Sequence, residues 1–150
     1  MTSFMAQNHG AGEEKRVREG FHCGMRMEAA YGVVICLACF LCAGPLMRLF
    51  VEDSETVRLG SEYLRLIACM YLLPAMTNGI QGYFRGTGEL KITLLSSLVN
   101  MGVRVLAALS LVFAFKEDMT ALPLAYMAGW FAMLLAEVPL LIRRFKSGSI

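Results

Sequence analysis

Charged and apolar residues fall in separate long blocks along this chain, not in short alternation. Residues 29–47, 66–84 and 119–136 contain no Asp, Glu, Lys or Arg, and residues 92–115 contain one, Arg104, near their middle. A helix rises about 1.5 Å per residue, so roughly 20 apolar residues match a hydrocarbon core about 30 Å thick. A soluble helix of that length needs a charged face, and these blocks have none. Nearly every other charge lies in the connections. The pattern predicts an all-α membrane protein with four transmembrane helices.

The connections carry finer signals. Residues 1–12 read as a frayed end closing in a Gly-Ala-Gly turn. From Glu13, the apolar Val17, Phe21 and Met25 recur every four residues beside Arg and Glu, which predicts an interfacial amphipathic helix leading into span one. Pro45 closes that span near its outer end. Asp53 and Ser54 are N-cap residues for a helix that starts outside the membrane and runs into span two. Gly86 and Gly88 allow a tight turn before span three. Lys116-Glu117-Asp118 forms the opposite turn, Thr120 caps span four, and Pro123 sits within its first turn, where a missing N–H does little harm. The expected organisation is a cytoplasmic segment and interfacial helix over 1–28, a four-span unit over 29–142, and a cytoplasmic tail over 143–150.

Composition agrees with the blocks. The hydrophobic share is 57%, above the usual soluble share of about 45–50%. A net charge of +2 spread over several loops excludes a nucleic-acid-binding patch. The distribution of basic residues gives an orientation. Lys15, Arg16, Arg18, Arg26, Arg85, Lys91, Arg143, Arg144 and Lys146 fall on one side, against Arg48, Arg58, Arg65 and Lys116 on the other. Positive charge favours the cytoplasm, which places both termini inside, in the cell's inner (plasma) membrane. No cleavage pattern of a signal peptide follows the first apolar block. The five cysteines are an odd number, and four lie in or beside the spans, so they read as small apolar fillers.

Span two carries the most chemistry. As one continuous helix it places Tyr63, Met70, Pro74, Thr77, Asn78, Gln81 and Arg85 on one stripe. Pro74 frees the Met70 carbonyl, which predicts a kink in mid-membrane. Polar groups below a kink suit the wall of a water- or substrate-filled cleft; equally, Thr77, Asn78 and Gln81 can act as interhelical glue. Span three repeats the pattern with Thr93, Ser96, Ser97, Asn100 and Arg104. A mid-span Arg costs about 2.5–3.5 kcal/mol on an insertion scale, which thirteen Leu, Ile, Val and Phe residues offset at about 0.3–0.6 kcal/mol each. Arg104 therefore faces the bundle, as an anion or proton-relay partner or as half of a structural ion pair with Glu137 of span four. The Cα atoms of those two differ in depth by about 12 Å, but their side chains lean toward each other on antiparallel helices.

Span four has a small-residue stripe of Ala125, Gly129, Ala132 and Ala136. Its adjoining face, Tyr126, Trp130, Met133 and Glu137, suits core packing or an aromatic or cationic ligand. Cys36, Cys39 and Cys42 have a metal-like spacing but lie on an apolar helix, rotated off a common face, with no His or acid beside them. No metal site, cofactor, nucleophile–base pair or phosphate loop is expected, and the chain does not read as an enzyme.

The order of these features resembles the multidrug and toxic compound extrusion (MATE) family. The matching stretches are AQNHGAGEEKRVREG, SETVRLGSEYLRLIA and YLLPAMTNGIQGYFRGTGELKITLLSSLVNMGVRV, with LAYMAGWFAMLLAEVPLLIRRF compatible with the family's final helix. The resemblance implies twelve helices in two pseudo-symmetric lobes that export organic cations in exchange for Na⁺ or H⁺. The four spans would correspond to helices nine to twelve, after a remnant of helix eight. The family's coupling acids lie in its first, seventh, eighth and tenth helices. Span two, the tenth-like helix, has no Asp or Glu, so no cation site carries over. Met70, Pro74, Asn78, Gln81, Asn100 and Arg104 carry over as substrate-path or lobe-interior positions.

The first expectation is therefore part of a MATE-type antiporter, inactive alone and dependent on missing helices or on self-association within the lipid bilayer. A non-transporting membrane remnant or accessory subunit is the alternative from another class. A four-helix exporter working as a dimer would need a carboxylate deep in its first span, and Glu28 sits only at the edge of the apolar block.

Overall fold

The computed structural model describes residues 1–114 and 121–147, all helix and short turns. Among the described residues seven helices follow one another: α1 (Thr2–Gly10), α2 (Glu14–Leu41), α3 (Ala43–Arg48), α4 (Ser54–Ala68), α5 (Leu72–Gly86), α6 (Leu90–Ala114) and α7 (Ala121–Lys146). Among the described residues, three helices are long and apolar enough to cross a membrane: Glu14–Leu41, Leu90–Leu111 and Leu122–Lys146. The remaining predicted crossing, span two, is divided between α4 and α5. Each has 15 residues, about 22 Å at 1.5 Å per residue and too short to span alone. The outer turn at Lys116-Glu117-Asp118 and the Thr120 cap lie outside the described residues.

Two prolines decide where helices stop. α2 ends at Leu41 and the chain bends at Cys42, because Pro45 has no N–H to offer the Leu41 carbonyl. The first span thus closes several residues earlier than the apolar block does. Pro74 acts in the same way on α5. The carbonyl it would leave free, that of Met70, accepts the Leu73 amide at 3.0 Å instead. Tight turns at Met70 and Tyr71, whose amides donate to Ile67 at 2.8 Å and Ala68 at 3.2 Å, make a full break between α4 and α5. The expected kink is a two-helix joint.

The best-buried core sits at the end shared by both termini and the α5–α6 turn. It joins Met5, Val17, Phe21, Ile80, Tyr83, Phe84 and Leu141. Phe21, Tyr83 and Phe145 meet edge-to-face, with ring centroids 5.4–5.5 Å apart. This revises the reading of both ends. Residues 2–10 are a helix docked on α5, with Met5 buried, and not a frayed end. α1 comes this close because Gly82 and Gly86 present no side chain. A Cβ on Gly86 would stand 2.3 Å from Met5 Cβ and 2.7 Å from the Thr2 carbonyl oxygen. The amphipathic stretch from Glu14 continues into span one without a joint. Residues 143–146, expected in a tail, extend α7 past Pro139. They are held there because Arg144 pairs with Glu89 and the Arg18 guanidinium donates to the Phe145 carbonyl at 2.8 Å.

α6 and α7 pack along the small-residue stripe. Ala125 is buried, and a Cβ on Gly129 would lie 2.9 Å from the Asn100 carbonyl oxygen. The outward faces of α2 and α6, with Val34, Leu37, Leu41, Leu94, Leu98, Leu106 and Leu109, are exposed and apolar, as a lipid-facing surface requires.

Candidate functional site

The α4–α5 joint opens two clefts that share one wall. The larger, about 460 Å³, lies between α2, the joint and α7. Met70, Pro74 and Asn78 of the joint face it, with Tyr31 and Glu28 from α2, Tyr63 from α4, and Tyr126 and Trp130 from α7. The smaller, about 330 Å³, lies between α5, α6 and α7 and is lined by Pro74, Asn78, Gln81, Asn100, Arg104 and Trp130, among others. Each of the six sequence-predicted positions thus borders at least one cleft, and Pro74 and Asn78 border both.

The polar groups divide into two kinds. Gln81 is buried and donates to Ser97 Oγ at 3.2 Å while accepting from Arg85, so it ties α5 to α6 as interhelical glue. Thr77 turns back to the Pro74 carbonyl at 3.0 Å, satisfying its own helix. Asn100 Nδ2 lies 3.5 Å from Met133 Sδ. Asn78 has no hydrogen bond to any described residue and is exposed where the clefts meet. Glu28, half-buried on α2, likewise has neither a hydrogen bond nor an ion pair to any described residue.

Arg104 and Glu137 do not pair. The Arg104 guanidinium lies over the Tyr126 ring, 4.4 Å from its centroid. Glu137 is fully buried and accepts the Ser96 hydroxyl at 2.7 Å; its Oε2 has no hydrogen-bond partner among the described residues. The depth difference explains the outcome. α6 and α7 are antiparallel, so Ser96, eight residues before Arg104, is the α6 residue that reaches the level of Glu137. Arg104 is matched to Tyr126, more than ten residues before Glu137. Side-chain lean cannot close a gap of about 12 Å.

Tyr126 and Trp130, with ring centroids 5.8 Å apart, stand between the clefts. Glu28 lies on one side of this aromatic wall and Arg104 on the other. Tyr126 and Trp130 are ligand-facing in one of the two readings of the span-four face. On the sequence alone Glu28 sits at the edge of the first apolar block, too shallow for the deep carboxylate of a dimeric exporter, whereas in the structure it lies about midway along α2. The signal available was the helical period: Glu28, Tyr31, Gly32 and Ile35 lie on one face of α2.

A comparison with protein-family models matches the MatE family over residues 1–110, about three quarters of the chain. Comparisons with curated proteins and with solved structures each return no match.

Proposed function

Since the chain belongs to the MatE family of multidrug efflux transporters, we propose that it forms part of one lobe of a twelve-helix antiporter that exports organic cations in exchange for Na⁺ or H⁺. In this reading α2, the α4–α5 pair, α6 and α7 make four crossings, with both termini in the cytoplasm and the outer connections facing away from it. The nine-to-four excess of basic residues supports that orientation. The same charge count is tested by single-cysteine labelling of Asp118→Cys and Gly148→Cys in a Cys-free background. Residue 118 should react from outside and residue 148 only after permeabilisation.

The observation that carries the proposal is the broken α4–α5 helix beside an aromatic cleft. A discontinuous helix with polar groups at the joint is the arrangement by which many transporters line a path at membrane depth. Met70, Pro74, Asn78, Gln81, Asn100 and Arg104 are the substrate-path or lobe-interior positions. Alternating access requires one lobe to move against another. The four crossings supply less than one, so transport depends on further helices, within the same polypeptide or in a partner.

Reconstitution tests this. The 150-residue chain in liposomes, under separately imposed Na⁺ and proton gradients, is expected to give no coupled transport of an organic cation. Co-expression with the remaining helices of the family's architecture is expected to restore it. Gradient-driven transport by the chain alone, lost on Asn78→Ala or Arg104→Met, would overturn the proposal.

A further inference from the structure

We infer that Glu28 is the residue by which the aromatic cleft selects positive charge, and that it serves two cavities at once. The inference rests on the reading of that cleft as a substrate path. Glu28 lies about midway along α2, against α5: its Cγ is 3.7 Å from the position a Cβ on Gly79 would take. It borders the 460 Å³ cleft and also a second cavity of about 490 Å³ between α1 and α2. The second cavity is walled mainly by Met1, Phe4, Met5 and Met27; its other acid, Glu19, is exposed and within 4.0 Å of Lys15. Glu28 is therefore the common carboxylate of two largely apolar spaces, and no basic group of the described chain neutralises it.

A carboxylate drawn partly out of water without a partner is unfavourable, and a cation entering either space removes that penalty. The walls narrow the class of cation. Tyr63, Tyr71 and Trp130 line the larger cleft and are the side-chain type that attracts a delocalised positive charge, while the methionines of the second cavity adapt to varied apolar shapes. Arg104 already occupies a face of Tyr126 from the other side of the wall, so that ring is not counted among the free ones. The fitting ligand is a bulky aromatic monocation. An anion of the same shape meets Glu28 unfavourably.

The test uses the purified 150-residue chain in lipid nanodiscs, with tetraphenylphosphonium as probe and tetraphenylborate as its anionic counterpart. Saturable binding of the cation above empty discs is expected, with tetraphenylborate at background. Glu28→Gln should weaken binding at least about tenfold, equivalent to about 1.4 kcal/mol, and Glu28→Asp should retain part of it. With the other four cysteines replaced by Ala, bound cation should slow maleimide labelling of Cys23, which borders the second cavity. Binding that leaves Cys23 labelling unchanged would overturn the two-cavity role. If Trp130→Ala weakens binding but Glu28→Gln and Glu28→Asp bind as the unmodified chain does, the Glu28 role falls and the cleft reading stands. Absence of cation binding by the unmodified chain, or equal binding of tetraphenylborate, would overturn both.

Discussion

The Ser96 hydroxyl donates to Glu137 at 2.7 Å and so binds α6 to α7 through a carboxylate wholly removed from solvent. Arg104, the base that side-chain lean had suggested for this acid despite the difference in depth, instead rests on Tyr126. Ser96→Ala removes a hydrogen bond to a buried acid and is expected to destabilise the bundle by about 1.5–3 kcal/mol. Denaturant unfolding in micelles checks this. A double-mutant cycle of Ser96→Ala with Glu137→Gln should show coupling above about 0.5 kcal/mol. The cycle of Arg104→Met with Glu137→Gln should be additive within about 0.3–0.5 kcal/mol; coupling there would reinstate the ion pair.

Two glycines on facing helices should respond in opposite directions to the same change. Gly129→Ala places a methyl 2.9 Å from the Asn100 carbonyl and 3.2 Å from Arg104 Cβ, forcing α6 and α7 apart at about 1–3 kcal/mol. Gly102→Ala meets nothing within 4 Å. It should be neutral or stabilising by up to about 1 kcal/mol through helix propensity. Thermal unfolding of the two single variants compares them directly.

Pro74→Ala restores an N–H that can reach the Met70 carbonyl in place of the Leu73 amide. The α4–α5 joint should straighten and the 460 Å³ cleft should shrink. Distance measurements between spin labels at exposed Leu59 and Arg85 are expected to lengthen. An unchanged distance would show that packing, and not Pro74, holds the joint.

The start of α4 carries an acid-sensitive cap. Asp53 accepts the Thr56 amide at 2.8 Å and the Thr56 hydroxyl at 2.6 Å. The hydroxyl, and then the amide, hold its carboxyl below the usual carboxylate range. A depressed folded-state value means the contribution is complete above the unfolded value of about 3.9. It is lost as pH falls through the folded one. Hydrogen exchange of the Thr56 amide should therefore lose protection in that acid range, relative to mid-helix amides of α4. Asp53→Asn should flatten the dependence.

Helix class was legible wherever a long block lacked charge, because burial in hydrocarbon leaves a helix few other choices. The Pro45 and Pro74 interruptions were readable too, since a missing N–H is a local property. What local chemistry could not give was the size of each effect. Pro74 was expected to bend a helix, and neighbouring tight turns made it a break. Residues 1–12 looked frayed because nothing local shows what they pack against; the bare Gly82–Gly86 face of α5, with Gly20 and Gly24 of α2 against Phe4 and Met1, gives α1 a seat.

The sequence by itself determined an all-helical membrane chain, its charge asymmetry, an irregularity at Pro74 and the polar positions around it. Those follow from single-residue transfer energies and backbone geometry, which act wherever the residue lies. Tertiary structure alone decided the partners. It matched Ser96 to Glu137, Arg104 to Tyr126, Gln81 to Ser97, and left Asn78 and Glu28 facing open space. Partnership depends on depth and on the crossing of helices far apart in the chain, and an error of one turn, about 5.4 Å, exchanges one neighbour for another.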